Sequence, residues 1–223
     1  MDYRIALPGP ARLRPGGAVL ERLAAGTRLH RIHPARYGAA QFNDSARGNA
    51  RFSPLRDAAG TLVPTLYAGE GFDCAAAEII LRSPDLPATD PATGLPPLAI
   101  AFPADFTAHA HSEVTLARDL RLVDLGIAGQ RGLGVDHNAL LGGPMASYPA
   151  TRAWAAAIHA ALPEAEGLIY PSHQLGPARA LMLFGDRAGD AVIPGPTRPV
   201  AGAACHAAIL ALADRLGMEY IDL

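Results

Sequence analysis

Several groups of residues have the types and spacing that catalysis or ligand binding needs. His109 and His111 flank one alanine, with Glu113 two positions further on. In a strand that spacing puts both rings on one face, where a metal ion would be held. No HExxH, no CxxC and no third-ligand signature accompanies them, so no metal is expected. Gly132-Leu133-Gly134 hints at a dinucleotide turn, but no third glycine arrives on spacing. Ser172-His173 are adjacent, and adjacent residues on a strand point to opposite faces, which argues against a direct nucleophile–base pair. A further constellation is ordered along the chain: Arg31, then Arg51, then Tyr67 followed by Glu78. Glu78 is the only acid in the apolar run from Cys74 to Ile80. A lone carboxylate in such a run faces either an arginine, as a structural ion pair, or a cleft.

The elements that must carry these residues follow from periodicity and punctuation. Residues 1–27 read as an N-terminal extension, with an amphipathic stretch over 18–23 expected to be helical. Residues 28–33 alternate as a strand does, and Pro34 stops them; 38–50 are small and polar, a loop. Residues 62–67 form a second strand with Pro64 at an edge or start. Asp73 is placed to cap a helix over 74–82. A proline-rich connector spans 84–97; strands follow at 98–102, 120–125, 167–170 and 180–184. Residues 126–149 are glycine-rich and carry no clear pattern. Helices are expected at 150–162 and 203–216, the second after a Pro/Gly connector at 194–202 and within a C-terminal helical segment, 188–223. Short strands interspersed with helices at irregular spacing point to an α+β or mixed α/β domain rather than a doubly wound sheet.

Composition narrows the chemistry. The 223 residues contain no lysine, so all 19 basic residues are arginines, against 21 acids. Schiff-base and phosphate-loop lysine mechanisms are excluded, and fixed cationic contacts fall to the planar guanidinium fork. Alanine makes up about a fifth of the chain, and coding drift toward Ala, Gly, Pro and Arg accounts for most of the bias. A net charge of -2 gives no footprint for direct nucleic-acid or anionic-membrane binding. No signal-peptide core and no run of 18 apolar residues is present; Cys74 and Cys205 read as buried free thiols, and a cytoplasmic location is expected.

Arg31, Arg51, Tyr67 with Ala75-Ala76-Ala77-Glu78, and Gly167-Leu168-Ile169-Tyr170-Pro171-Ser172 together resemble the RES domain over roughly residues 28–187. Two departures stand out: Asn49-Ala50-Arg51-Phe52 replaces the usual Gly-Gly-Arg-Trp, and His173 stands where an arginine often follows the serine. The resemblance implies an α+β fold with a mixed, mostly antiparallel β-sheet core flanked by helices, similar to ADP-ribosyltransferase toxins. It implies a cytoplasmic bacterial toxin of a toxin–antitoxin pair, in a hetero-oligomer with an Xre-like helix-turn-helix antitoxin that would carry any DNA binding. Its substrate would be NAD⁺, cleaved at the nicotinamide–ribose bond by hydrolysis or phosphorolysis. In that chemistry Arg31 and Arg51 suit the pyrophosphate, and Glu78 suits the oxocarbenium-like ribose. Tyr67 offers a flat face to nicotinamide, and Ser172 a hydrogen bond to carboxamide or ribose. The alternatives are a mono-ADP-ribosyltransferase, with 126–149 as an acceptor surface, and a non-catalytic partner-binding module.

Overall fold

The computed structural model describes residues 7–82, 93–94, 100–101 and 104–220. In chain order the strands and helices are β1 Leu20–Leu23, β2 Arg28–Pro34, β3 Leu55–Arg56, β4 Leu62–Val63, β5 Thr65–Gly69, α1 Phe72–Ile79 and β6 Ile100–Ala101. Then come α2 Ala104–Thr107, β7 His109–Leu116, β8 Leu120–Asp124, α3 Ile127–Leu133, α4 Tyr148–Ala161, β9 Gly167–Pro171 and β10 Arg179–Phe184. The chain continues through α5 Gly185–Ala188, β11 Val192–Pro199, α6 Ala203–Arg215 and β12 Glu219–Tyr220.

Eight strands form the main sheet in the order β1-β8-β9-β10-β5-β2-β7-β11. Every neighbouring pair in it is antiparallel except β8–β9. This is the α+β fold with a mostly antiparallel sheet that the sequence led us to expect. Alternate residues of the strands feed two cores. Ala180, Met182 and Phe184 of β10 join Leu168 and Tyr170 of β9 against α3 and α4, around the fully buried Trp154. Leu181 and Leu183 point the other way and meet Leu29, Val114 and Leu120 from strands of the same sheet, so the sheet curls over a core of its own. A third cluster packs α1 and α6 on Ile32. Central strands buried on both faces explain the unbroken apolar runs at 167–170 and 180–184.

Four expectations need correction. Residues 20–23 are a strand, not a helix: four residues cannot nucleate an isolated helix, whereas pairing with β8 satisfies their backbone. The Pro/Gly connector contains an edge strand, β11, whose ladder with β7 shifts register between Pro194 and Thr197. Prolines are tolerated there because an edge strand needs only one row of donors. Residues 127–133, within the segment without pattern, form α3. Asp73 does not cap α1; the cap position is Gly71, and Asp73 pairs with Arg215 at 2.5 Å. The connector over 84–97 lies outside the described residues except for 93–94.

β1 lies in the segment read as an N-terminal extension, and more of that segment docks on the body. Trp154 Nε1 donates to the Pro8 carbonyl at 2.6 Å. Gly17 and Gly132 pass so closely that a Cβ on Gly17 would lie 2.2 Å from the Gly132 carbonyl oxygen. Among the described residues no helix is long and apolar enough to cross a membrane.

Candidate functional site

β5 carries Tyr67 and runs straight into α1, which carries Glu78; β2, beside β5, carries Arg31; the loop before β3 carries Arg51. These four residues line one cleft of about 230 Å³, together with Arg47, Arg82, Tyr148 and Tyr170 among others. Ser172, just after β9, lies directly behind Glu78. The five residues singled out in the sequence therefore meet at one place. The lining holds four arginines and a single carboxylate, in a chain whose formal net charge is -2.

Glu78 is half-buried and accepts the hydroxyl hydrogen of Ser172 at 2.5 Å. Ser172 Oγ in turn accepts the backbone N–H groups of Gln174 and Leu175, at 3.2 and 3.0 Å. The serine thus fixes the carboxylate rather than facing a ligand itself. Among the described residues no arginine pairs with Glu78. The structural ion pair that was one reading of the lone acid is not formed there.

The arginines are held differently. Arg31 is 7% exposed, and its Nη1 donates to the carbonyls of Ala39 and Gln41 at 2.6 and 3.0 Å. Its Nε is buried without a hydrogen-bond partner. Burial lowers its pKa to about 10, so it remains a cation at neutral pH. Arg51 donates to the Gly143 carbonyl at 3.1 Å and sits over the Tyr148 ring, 4.9 Å from the centroid. Arg82 stacks on the same ring at 5.3 Å and donates to the Tyr148 hydroxyl. Among the described residues Arg31, Arg47 and Arg82 have no acid partner, whereas outside the cleft Arg22 and Arg215 each pair with one acid and Arg118 and Arg179 each with two.

The Tyr67 hydroxyl accepts the Phe52 N–H at 3.1 Å, and burial raises its pKa to about 12. The phenol stays neutral, and the residue lines the cleft. Arg47, Arg82, Tyr148 and Tyr170 were not anticipated as site residues. Arg82 stands four positions after Glu78, a spacing that suggests a helical ion pair, but α1 ends at Ile79 and Arg82 turns to Tyr148 instead.

The histidines form a separate group. His30 and His111 stack with ring centroids 5.2 Å apart and share a hydrogen bond of 3.0 Å. The bond uses Nδ1 of His30 and Nε2 of His111. No cluster of three or more potential ligands occurs among the described residues. His33 lines the cleft wall; its Nδ1 donates to the Pro34 carbonyl, which leaves Nε2 to accept from Ser112 at 2.8 Å.

A family model described as the RES domain matches residues 28–201. No curated protein matches the chain. A chain in the crystal structure of the M. tuberculosis MbcT-MbcA toxin-antitoxin complex superposes with a TM-score of 0.60, covering 89% of this chain and 94% of that one, at 14% identity. At that identity the likeness is one of fold.

Proposed function

This chain belongs to the RES-domain family, and from that membership we propose that it is the toxin of a toxin–antitoxin pair and cleaves the nicotinamide–ribose bond of NAD⁺. One observation supports the reading above the rest: the cleft presents a single fixed carboxylate, Glu78, among four guanidiniums. NAD⁺ has the complementary charge distribution. Its diphosphate is anionic, and loss of neutral nicotinamide builds positive charge on the ribose. A carboxylate already oriented by Ser172 stabilises that charge without reorganising during the reaction. Arg51 and Arg82, beside Tyr148, and Arg31, with its unpartnered Nε, supply the forked cationic contacts that a diphosphate takes. The Tyr67 ring gives the departing nicotinamide an apolar face.

The partner in this reading is an Xre-like antitoxin that silences the enzyme in its host, a role motivated by the family and by the toxin–antitoxin complex in which the similar fold occurs. Incubating the purified chain with NAD⁺, with and without inorganic phosphate, should release nicotinamide and yield ADP-ribose or its 1-phosphate. Absence of free nicotinamide under both conditions overturns the proposal.

A further inference from the structure

The cleft around Glu78 is small for a dinucleotide. Its volume of about 230 Å³ lies below the roughly 300–1,000 Å³ usual for small-molecule sites. A second chamber of about 260 Å³ adjoins it. The two share Arg31, His33, Pro34, Asn43, Arg47 and Gly48 as a common wall. No carboxylate lines the second chamber, and the residues that belong to it alone are Arg36, Tyr37, Gln41 and Ser45. Arg36 lies over the Tyr37 ring at 4.9 Å and donates to its hydroxyl at 3.2 Å, making a flat cationic platform at the protein surface. Arg31 and Arg47, on the shared wall, have no acid partner among the described residues.

We propose that the two chambers form one bipartite site: the reacting nucleotide half lies by Glu78, the diphosphate runs from Arg51 and Arg82 onto the Arg31–Arg47 wall, and the adenosine half rests on the Arg36–Tyr37 platform. Taken together the chambers reach the size that neither has alone. Flat bases stack on aromatic rings and guanidinium planes with little dependence on base identity. The chemistry at the second chamber is therefore that of a purine nucleoside phosphate, held by stacking and cationic contacts. Arg36 and Tyr37 are binding residues remote from the reacting bond, and they should act on KM rather than on the intrinsic chemistry.

The inference rests on NAD⁺ being the substrate, and its test separates the two. Nicotinamide release is measured for the wild type, Tyr37→Ala and Arg36→Gln, using NAD⁺ and nicotinamide mononucleotide, which lacks the adenosine half. Both side chains are at the surface, and each variant should retain the wild-type melting temperature. The expected result is a KM for NAD⁺ raised about tenfold in each variant, from the loss of one stacked contact, with mononucleotide cleavage unchanged. Equal effects on both substrates, or no effect on either, overturn the bipartite site while leaving NAD⁺ cleavage intact. Should the wild type release no nicotinamide, the functional reading falls and ADP is titrated by calorimetry instead. Binding weakened about tenfold by Tyr37→Ala then sustains the second chamber; unaltered or absent binding overturns it.

Discussion

Two backbone amides occupy the acceptor side of the Ser172 hydroxyl, and its one hydrogen goes to Glu78. That arrangement assigns the two residues different consequences on mutation. Glu78→Gln keeps the shape and removes the charge, so kcat should fall about 10²–10³-fold while the melting temperature stays within a few degrees. Ser172→Ala leaves the carboxylate charged but loosely held; kcat should fall about tenfold, about 1.4 kcal/mol of barrier, with KM little changed. Steady-state nicotinamide release checks both. Beside its proposed place in the site, Arg31 has a structural one: its Nη1 ties the carbonyls of Ala39 and Gln41. An ammonium cannot reproduce a planar fork, so Arg31→Lys should cost about 1–3 kcal/mol of stability in a urea titration as well as activity.

The β2–β7 ladder places His30 and His111 against each other, with Phe72 of α1 edge-on to His111. Burial is the main reason that the His111 pKa falls from 6.5 to about 4, helped by His30 and Arg198 and opposed by Glu113. A depressed folded-state pKa means that the unfolded chain binds the proton first as pH drops. Stability is therefore fully present above about 6.5 and is lost as pH falls toward about 4, by about 1.4 kcal/mol for each unit of that window. His111→Gln should flatten the decline of melting temperature between pH 7 and pH 5.

β7 is also where the sequence was least legible. His109, His111, Ser112 and Glu113 break any apolar alternation, and the strand is paid for by hydrogen bonds from partners more than 70 residues away, such as Ser112 with His33 and Thr197. β11 was hidden by its prolines, and β1 by being too short for its period to show. By contrast β9, β10, α4 and α6 were readable, because unbroken apolar runs and long periodic stretches have few competing interpretations. The site divides in the same way. Arg31, Arg51, Tyr67, Glu78 and Ser172 stand in a recognisable order, whereas Arg82 and Tyr148 join only through a tertiary contact that no local spacing encodes.

Across the whole molecule, the N-terminal segment is tied to the body at Trp154 and at the Gly17–Gly132 crossing. Any side chain at Gly17 must displace the backbone of α3. Gly17→Ala should cost roughly 1–3 kcal/mol in thermal unfolding. Trp154 is the chain's single tryptophan and is fully buried, so its emission should shift to the red as the segment loosens.

The hydrogen bond from Ser172 to Glu78 joins residues 94 positions apart. At a ribosomal rate of about 5–20 residues per second, Glu78 is made about 5–20 s before the serine that orients it. Pairing distant strands then takes further time, milliseconds to seconds for sheets of this kind. If Glu78 and Ser172 act as proposed, a nascent chain is accordingly inert for most of its synthesis, and its activity arises late. The same delay should be visible in refolding: helical signal returns first, and turnover returns only with the slowest phase.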